Sequence, residues 1–462
     1  MKPTVVPGRA APWWLEEAPP DPPAPSLEGA VEADVAIVGA GYTGLWTALE
    51  LRRRDPSLQV VIVEADRSGL GPSGRNGGFL HGYWANLSRL RERLGDEGAL
   101  VTARAAEGVV AAVRALGEDV WLREAGMLKV SAAPAQDRVI EGAVETAREL
   151  GVPGEAVALS AEEVAERCRS PVFRHGVFLR EGGTVQPARL ARALRRAALQ
   201  AGALLFEHSR VRKISAGVIQ TDKGSVRAQE IVVATNAWAA AWRPARPLLT
   251  GFGSYVVLTE PVPELLEEID WTGGEAIFDG RMFLHYFRTT QDGRVLMGSG
   301  SGPMSFRGRV DSRFFEDAAT VARAEAGLRR LLPALAGARI THSWGGPIDV
   351  SADQLPFFKT VPGTRIHYGA GYSGNGVGPS WLGGRILASL ALGSDDELTR
   401  LPLVRRRIRS LPPEPFRRLG GGLIRASILA CEQAEEEGRR PRLVARAGRA
   451  LPRALGIRIG TR

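Results

Sequence analysis

The stretch ADVAIVGAGYTGLWTALELRRR, followed by LQVVIVEAD, constrains this chain more than any other. Residues 35–38 form an apolar run without alternation, as a strand buried on both faces requires. Three glycines follow at the spacing G-x-G-x-x-G. Gly39 permits a tight turn, Gly41 lets a pyrophosphate approach the backbone, and Gly44 lets a helix pack closely on the sheet. Tyr42 and Thr43 stand at the helix start, where free N–H groups and the helix dipole favour phosphate. The next apolar strand ends at Glu64, twenty residues after Gly44. A carboxylate there accepts hydrogen bonds from a ribose diol. Strand, turn, helix, strand and terminal acid in register predict a parallel βαβ unit that binds a dinucleotide. The plainer alternative is a turn whose glycines serve packing alone.

The same six-residue spacing recurs late, as GAGYSG within GAGYSGNGVGPS, residues 369–380. A strand precedes it and the helical PSWLGGRILASLAL overlaps its end. What comes next, SDDELTRLPL, is too polar for a central strand, so a second complete nucleotide unit is not predicted.

Length and composition set the outer limits. A chain of 462 residues, 44% apolar and 24% charged, suits two or three soluble globular domains. Its net charge of +9 is carried almost wholly by arginine, concentrated at residues 405–409 and in the last forty positions. No nucleic-acid module accompanies the charge, so a solvated basic surface is the plain reading and no nucleic-acid partner is expected. The two cysteines, Cys168 and Cys431, lack partners at metal-ligand spacing, and no metal is expected. Neither a signal peptide nor an apolar run of membrane-spanning length is visible, which points to the cytoplasm.

Prolines at 19, 20, 22, 23 and 25 predict an irregular N-terminal arm over 1–30, pinned to the body by Trp13 and Trp14. A long helix is expected over 97–120, and strands at HSRVRKI and RMFLHYFRTT. Nucleotide-type segments recur at the start, middle and end, with strand-rich aromatic segments between. The fold class is therefore α/β, with α+β character in the insert. It is a discontinuous Rossmann-like domain (31–110, 181–245 and 340–395) carrying an inserted domain on a mainly antiparallel sheet (111–180 and 246–339). A basic extension, 396–462, follows.

After Glu64 comes ADRSGLGPSGRNGGF, a glycine-rich connection where a simple dehydrogenase would continue with another βα unit. VAIVGAGYTGLWTALELRRR, VVIVEAD and SGRNGG together resemble the FAD-dependent amine oxidoreductases of the D-amino-acid oxidase superfamily. The glycine and sarcosine oxidases belong there, and the texture is nearest its γ-glutamylputrescine oxidoreductase branch. The resemblance extends to GGTVQPARLARAL, IVVATNAW, WGGPIDVSADQLPFF and GYSGNGVGPS, and covers most of 31–395.

The resemblance implies non-covalent FAD. Gly39, Gly41, Gly44 and Glu64 would hold the pyrophosphate and adenosine ribose. Ser73, Gly74, Arg75, Asn76, Gly77 and Gly78 would lie along the ring and ribityl chain, with Arg75 stabilising charge on reduction. Val211 would read adenine through its backbone, and Thr235 and Asn236 would make a second pass by the phosphates. The late segment becomes the closing turn of the same site. Gly371, Ser373, Gly374, Asn375, Gly376, Val377 and Gly378 would approach the redox ring, with the helix from Pro379 aimed at it.

The insert should roof the flavin, with His81, Tyr255, Arg281, His285 and Trp344 as candidate lining. Alternation in RMFLHYFRTT puts Tyr286 and Arg288 on one face, where Arg288 could clamp a carboxylate. The plainer reading makes these aromatics sheet core and these arginines seam residues. The implied reaction is oxidation of a C–N bond, with hydride passing to flavin N5 and the imine then hydrolysed. The substrate would be an amine or amino acid, γ-glutamylputrescine-like or otherwise carboxylate-bearing. Oxygen or another carrier would take the electrons. Two alternatives stay open: an NAD-dependent dehydrogenase, and a non-redox flavoprotein whose basic tail binds nucleic acid or membrane. Oligomeric state is not readable.

Overall fold

The computed structural model describes residues 12–454. Residues 1–11 of the expected arm and 455–462 of the extension lie outside the described residues. Two eight-stranded sheets organise the rest.

The first sheet has Gly29–Val38 at its centre, parallel to Gly224–Val233 on one side and to Val60–Val63 on the other. Leu204–Phe206 and Ile366–Ala370 extend it in parallel, and Phe357–Thr360 closes one edge antiparallel. Val60–Val63 is buried at every position, as its unbroken apolar run demands. The helices Tyr42–Arg54, Pro187–Gln200 and Pro379–Ala391 cover one face. Gly384 makes a close crossing possible, because a Cβ there would stand 2.5 Å from Trp46 Cβ.

The second sheet runs Ile340–Ser351, Leu249–Thr259, Val295–Ser299, His285–Thr289, Ala276–Asp279, Met127–Val130, Gly176–Leu179, Val157–Leu159. All pairs are antiparallel except Ala276–Asp279 with Met127–Val130. The matched strands thus follow the mixed α/β architecture read from the sequence.

Several local expectations are corrected. Residues 340–351 pair in the second sheet, not with the segments expected around them. The single helix expected over 97–120 is interrupted: the helical stretch Leu87–Ala105 is itself broken at Gly95, φ 74°, and Val109–Arg114 follows after Gly108 at φ 88°. RMFLHYFRTT is strand only from His285, and Val211 lies ahead of the strand Lys213–Ser215. The arm is not wholly irregular, since Trp13–Glu17 forms a helical turn and the first strand starts at Gly29. The extension folds back as helices, including Phe416–Glu436 and Leu443–Ala454.

Candidate active site

The first glycine loop is closed by sterics. Gly39 has φ 105°, and a Cβ there would lie 2.6 Å from the Ala234 carbonyl oxygen. A Cβ on Gly44 would overlap the Gly39 carbonyl outright. The helix beginning at Tyr42 has no side-chain cap of its own at Gly41. Instead Tyr42 N–H donates to Ser73 Oγ at 3.0 Å, so the SGRNGG loop sits on the helix N-terminus. Tyr42 Oη donates to Pro187 O at 2.8 Å. Glu64 accepts from Ala40 N–H at 2.7 Å and from Asp66 N–H at 3.0 Å, and burial pushes its carboxyl up. Thr235 Cγ2 would lie 3.6 Å from a Cβ on Gly39, and Asn236 donates to Asp349 Oδ1 at 3.2 Å. Val211 is half-buried beside the first sheet's lower core. Thr235 thus stands beside the first glycine turn, while Asn236 reaches toward the residue that holds the late loop.

The SGRNGG loop is held by its own side chains and by two indoles. Asn76 Nδ2 donates to Pro72 O and Ser73 O, while Asn76 Oδ1 accepts from Gly78 N–H at 2.8 Å. Trp14 Nε1 donates to Asn76 O at 3.0 Å and Trp344 Nε1 to Arg75 O at 2.8 Å. Gly74 and Gly78 have no room for a Cβ against the carbonyls of Gly69 and Val185. Arg75 Nε donates to Leu70 O at 2.9 Å, its guanidinium lies 5.0 Å over Phe315, and burial lowers its pKa to about 10.

The late loop meets this one. Asp349 is fully buried; its carboxylate accepts from Gly371 N–H, and its carbonyl accepts from Ser373 N–H at 2.8 Å. Gly371 and Gly374 take φ 87° and 89°, and Ser373 takes 54°. Gly376 has ordinary contact with Tyr372, whereas Gly378 is pressed on the His81 carbonyl. Thr43 Oγ1 donates to Tyr372 Oη at 2.9 Å, which fastens the two glycine segments together.

Between the two loops and the second sheet lies a cavity of about 290 Å³. Arg75, Asn76, Gly77, Ser373–Asn375 and Val377 line it, together with Phe79, Ser254 and Tyr286. His81 also lines it. Its Nδ1 is 2.8 Å from Gly82 O, and burial lowers its pKa. Tyr286 Oη is 2.8 Å from Ser254 Oγ, and burial raises its pKa to about 12.

Of the expected lining groups, His81 and Tyr286 reach the cavity; the others go elsewhere. Arg288 is buried a layer behind it. It donates to Val185 O at 2.6 Å, lies 5.6 Å over Trp14, and burial lowers its pKa to about 9. Its donors thus hold the carbonyls of Val185 and Gly78 behind the SGRNGG loop, not a substrate carboxylate in the cavity. Tyr255 donates to Arg313 O, beside glycines of its own sheet. Trp344 serves the Arg75 carbonyl. Arg281 pairs with Glu432 and Glu436, both at 2.9 Å, and His285 Nδ1 with Asp279 at 2.8 Å. Asp279, His285 and Glu436 have ligand atoms within 4.8 Å of one another. Arg281 and Arg330 both pair with Glu436, so the cluster is an ion-pair network. Sequence reasoning passed over Asp349, although PIDVSADQ sets a carboxyl among apolar neighbours. It also passed over Arg89, Lys129 and Glu155, which line the cavity far from any motif.

Two glycine loops fastened together beside a cavity form the architecture expected of a flavin-dependent oxidoreductase. The sequence profile of DAO, FAD dependent oxidoreductase, matches residues 34–390, and the chain belongs to that family. It is therefore an FAD-dependent enzyme. It is similar to the probable oxidoreductase OrdL of Rhizobium meliloti (strain 1021), with 31% identity over 90% of this chain and 94% of that protein. It is also similar to gamma-glutamylputrescine oxidoreductase of Escherichia coli (strain K12), with 28% identity over 88% of this chain and 93% of that one. Among solved structures, glycine oxidase from Geobacillus kaustophilus superposes with a TM-score of 0.66 and 25% identity, covering 82% of this chain and 99% of that one. FAD fits the residues present: the helix Tyr42–Arg54 begins at a glycine without a side-chain cap and carries no acid in its first turn, which suits a phosphate there.

Proposed function

We propose that this enzyme oxidises the C–N bond of an amine or amino acid bearing a carboxylate. FAD, held non-covalently between the glycine loops, supplies the two-electron acceptor; neither buried cysteine belongs to the cavity wall. The observation that carries the substrate reading is the cavity's mixed lining. Arg89 and Lys129 bring positive charge to the lining and Glu155 negative charge, while Phe79, Phe278 and Tyr286 give apolar and aromatic surface to an alkylamine. Relatives named gamma-glutamylputrescine oxidoreductase and glycine oxidase suit that chemistry.

Within this reading His81 handles the proton. With Nδ1–H on the Gly82 carbonyl and a lowered pKa, the ring is neutral near neutral pH, and Nε2 accepts a proton from the substrate ammonium. Tyr286 and Ser254 orient the free amine, and Arg75 balances negative charge gathered beside its loop. The amine carbon loses two electrons and a proton overall, and water then converts the imine to a carbonyl compound and released amine or ammonia.

The test pairs each carboxylate-bearing amine with its decarboxylated analogue in wild type and Lys129→Met. The expected result is a KM increase of about tenfold for the acids alone, the loss of one charge-assisted contact. Equal effects on both series would refute the carboxylate assignment.

A further inference from the structure

Among the described residues, ten large apolar side chains are exposed, and seven belong to one region. Phe416, Leu419 and Leu423 project from the helix Phe416–Glu436; Leu443, Val444 and Leu451 project from Leu443–Ala454. The seventh, Phe306, lies under the Arg418 guanidinium at 5.7 Å. Such clustering is unlike the scattered exposed apolar groups of an ordinary surface.

The spacing of 416, 419 and 423 puts these residues on one helix face. The opposite face, with Ile424 and Ile428, is buried against Phe283. The last helix packs on its neighbour at Gly448, where a Cβ would collide with Ser427, and through the Arg449–Glu435 pair. It is strongly two-sided. Leu443, Val444, Ala447 and Leu451 share one side, and Arg442, Arg446, Arg449 and Arg453 the other.

Charge identifies the occupant. Residues 438–453 hold six arginines and no acid. The four glutamates preceding them are already paired: Glu432 and Glu436 with Arg281, Glu435 with Arg449, Glu437 with Arg439. Arg440, Arg442, Arg446 and Arg453 are exposed. A second copy would bring the same positive surface against itself. No described helix is long and apolar enough to cross a membrane. We propose that this helical hairpin docks on the headgroup surface of an anionic lipid bilayer. Its leucines, Phe416 and Val444 enter the acyl boundary, and its arginines meet the lipid phosphates.

The experiment is flotation of the full-length, FAD-loaded protein with two vesicle types, phosphatidylcholine alone and phosphatidylcholine mixed with phosphatidylglycerol. The protein should float only with the mixed vesicles and be released by high salt. Replacing Arg440, Arg442 and Arg446 together by alanine should lower partitioning on the order of a hundredfold, at about fivefold per arginine. Leu419→Ser with Leu423→Ser should also weaken it, with the visible flavin spectrum retained. Flotation with neither vesicle, or equally with both, overturns the proposal. So does sedimentation as a dimer that the leucine variant disperses, which would assign the face to a second copy. If a variant misfolds, salt release of the wild-type protein still decides.

Discussion

Thr43 and Tyr372, 329 residues apart in sequence, share a hydrogen bond of 2.9 Å. Each stands in a G-A-G-Y-hydroxyl-G hexamer, and the bond makes the two hexamers one structure. Tyr372 is buried, and burial pushes its hydroxyl up, so the bond is between neutral groups. Tyr372→Phe deletes this bond at constant shape. The expected cost is about 0.5–1.5 kcal/mol, seen as a severalfold weaker FAD dissociation constant by fluorescence titration. Unchanged FAD affinity would show that the loops hold the cofactor independently.

Trp344 acts on the loop, not on substrate. Trp344→Phe leaves the Arg75 carbonyl without its donor in a buried setting. A destabilisation of about 1–3 kcal/mol in denaturant unfolding is expected, with KM for amines little changed. A large rise in KM alone would return Trp344 to the substrate wall.

Glu432 links the extension to the cavity. Its carboxylate accepts from Met282 N–H at 2.6 Å and Phe283 N–H at 3.2 Å while pairing with Arg281, and Met282, Phe283 and Leu284 line the cavity. Glu432→Ala should cost about 1–3 kcal/mol, since it leaves the Met282 and Phe283 amides without their acceptor while Arg281 keeps Glu436. Glu432→Gln keeps an acceptor for both amides and should restore KM further than it restores stability. Equal KM values in all three proteins would confine Glu432 to structure.

Asp349 should make stability depend on pH. Burial raises its carboxyl from the ordinary 3.8 to about 6. The folded protein therefore holds this proton more tightly than the unfolded chain. The stabilising contribution is complete below the unfolded value and is lost as pH rises through the folded one. Asp349→Asn escapes that loss. Its stability relative to wild type should improve by about 2–3 kcal/mol from about pH 4 to about pH 7 in denaturant melts of the apoprotein. A flat difference would show the carboxyl to be unperturbed.

How much of this was legible depends on whether a residue's role is local. Gly39, Gly44 and Glu64 could be read because turn, helix start and strand end lie within one unit. The SGRNGG loop was expected beside the flavin through its resemblance; that Ser73 accepts from the helix start at Tyr42 was not read from the sequence. Nor was the setting of Arg288. Alternation put it on the face of Tyr286, but its partner is the Val185 carbonyl, 103 residues away, which no periodicity reports. Arg281 and His285 look like pocket groups in RMFLHYF, yet their surroundings are set by a glutamate 151 residues downstream and by Asp279. Asp349 lay in quoted sequence without a role, because only the folded chain brings Gly371 onto it.

The central claim is that both glycine segments serve one FAD that accepts electrons from an amine. Anaerobic mixing of the purified holoenzyme with a library of carboxylate-bearing amines measures this directly. The account predicts one FAD per chain and loss of the visible flavin band with at least one such amine, without added nicotinamide. A fully folded protein that takes up no FAD, or turnover that requires nicotinamide and leaves flavin untouched, would contradict it.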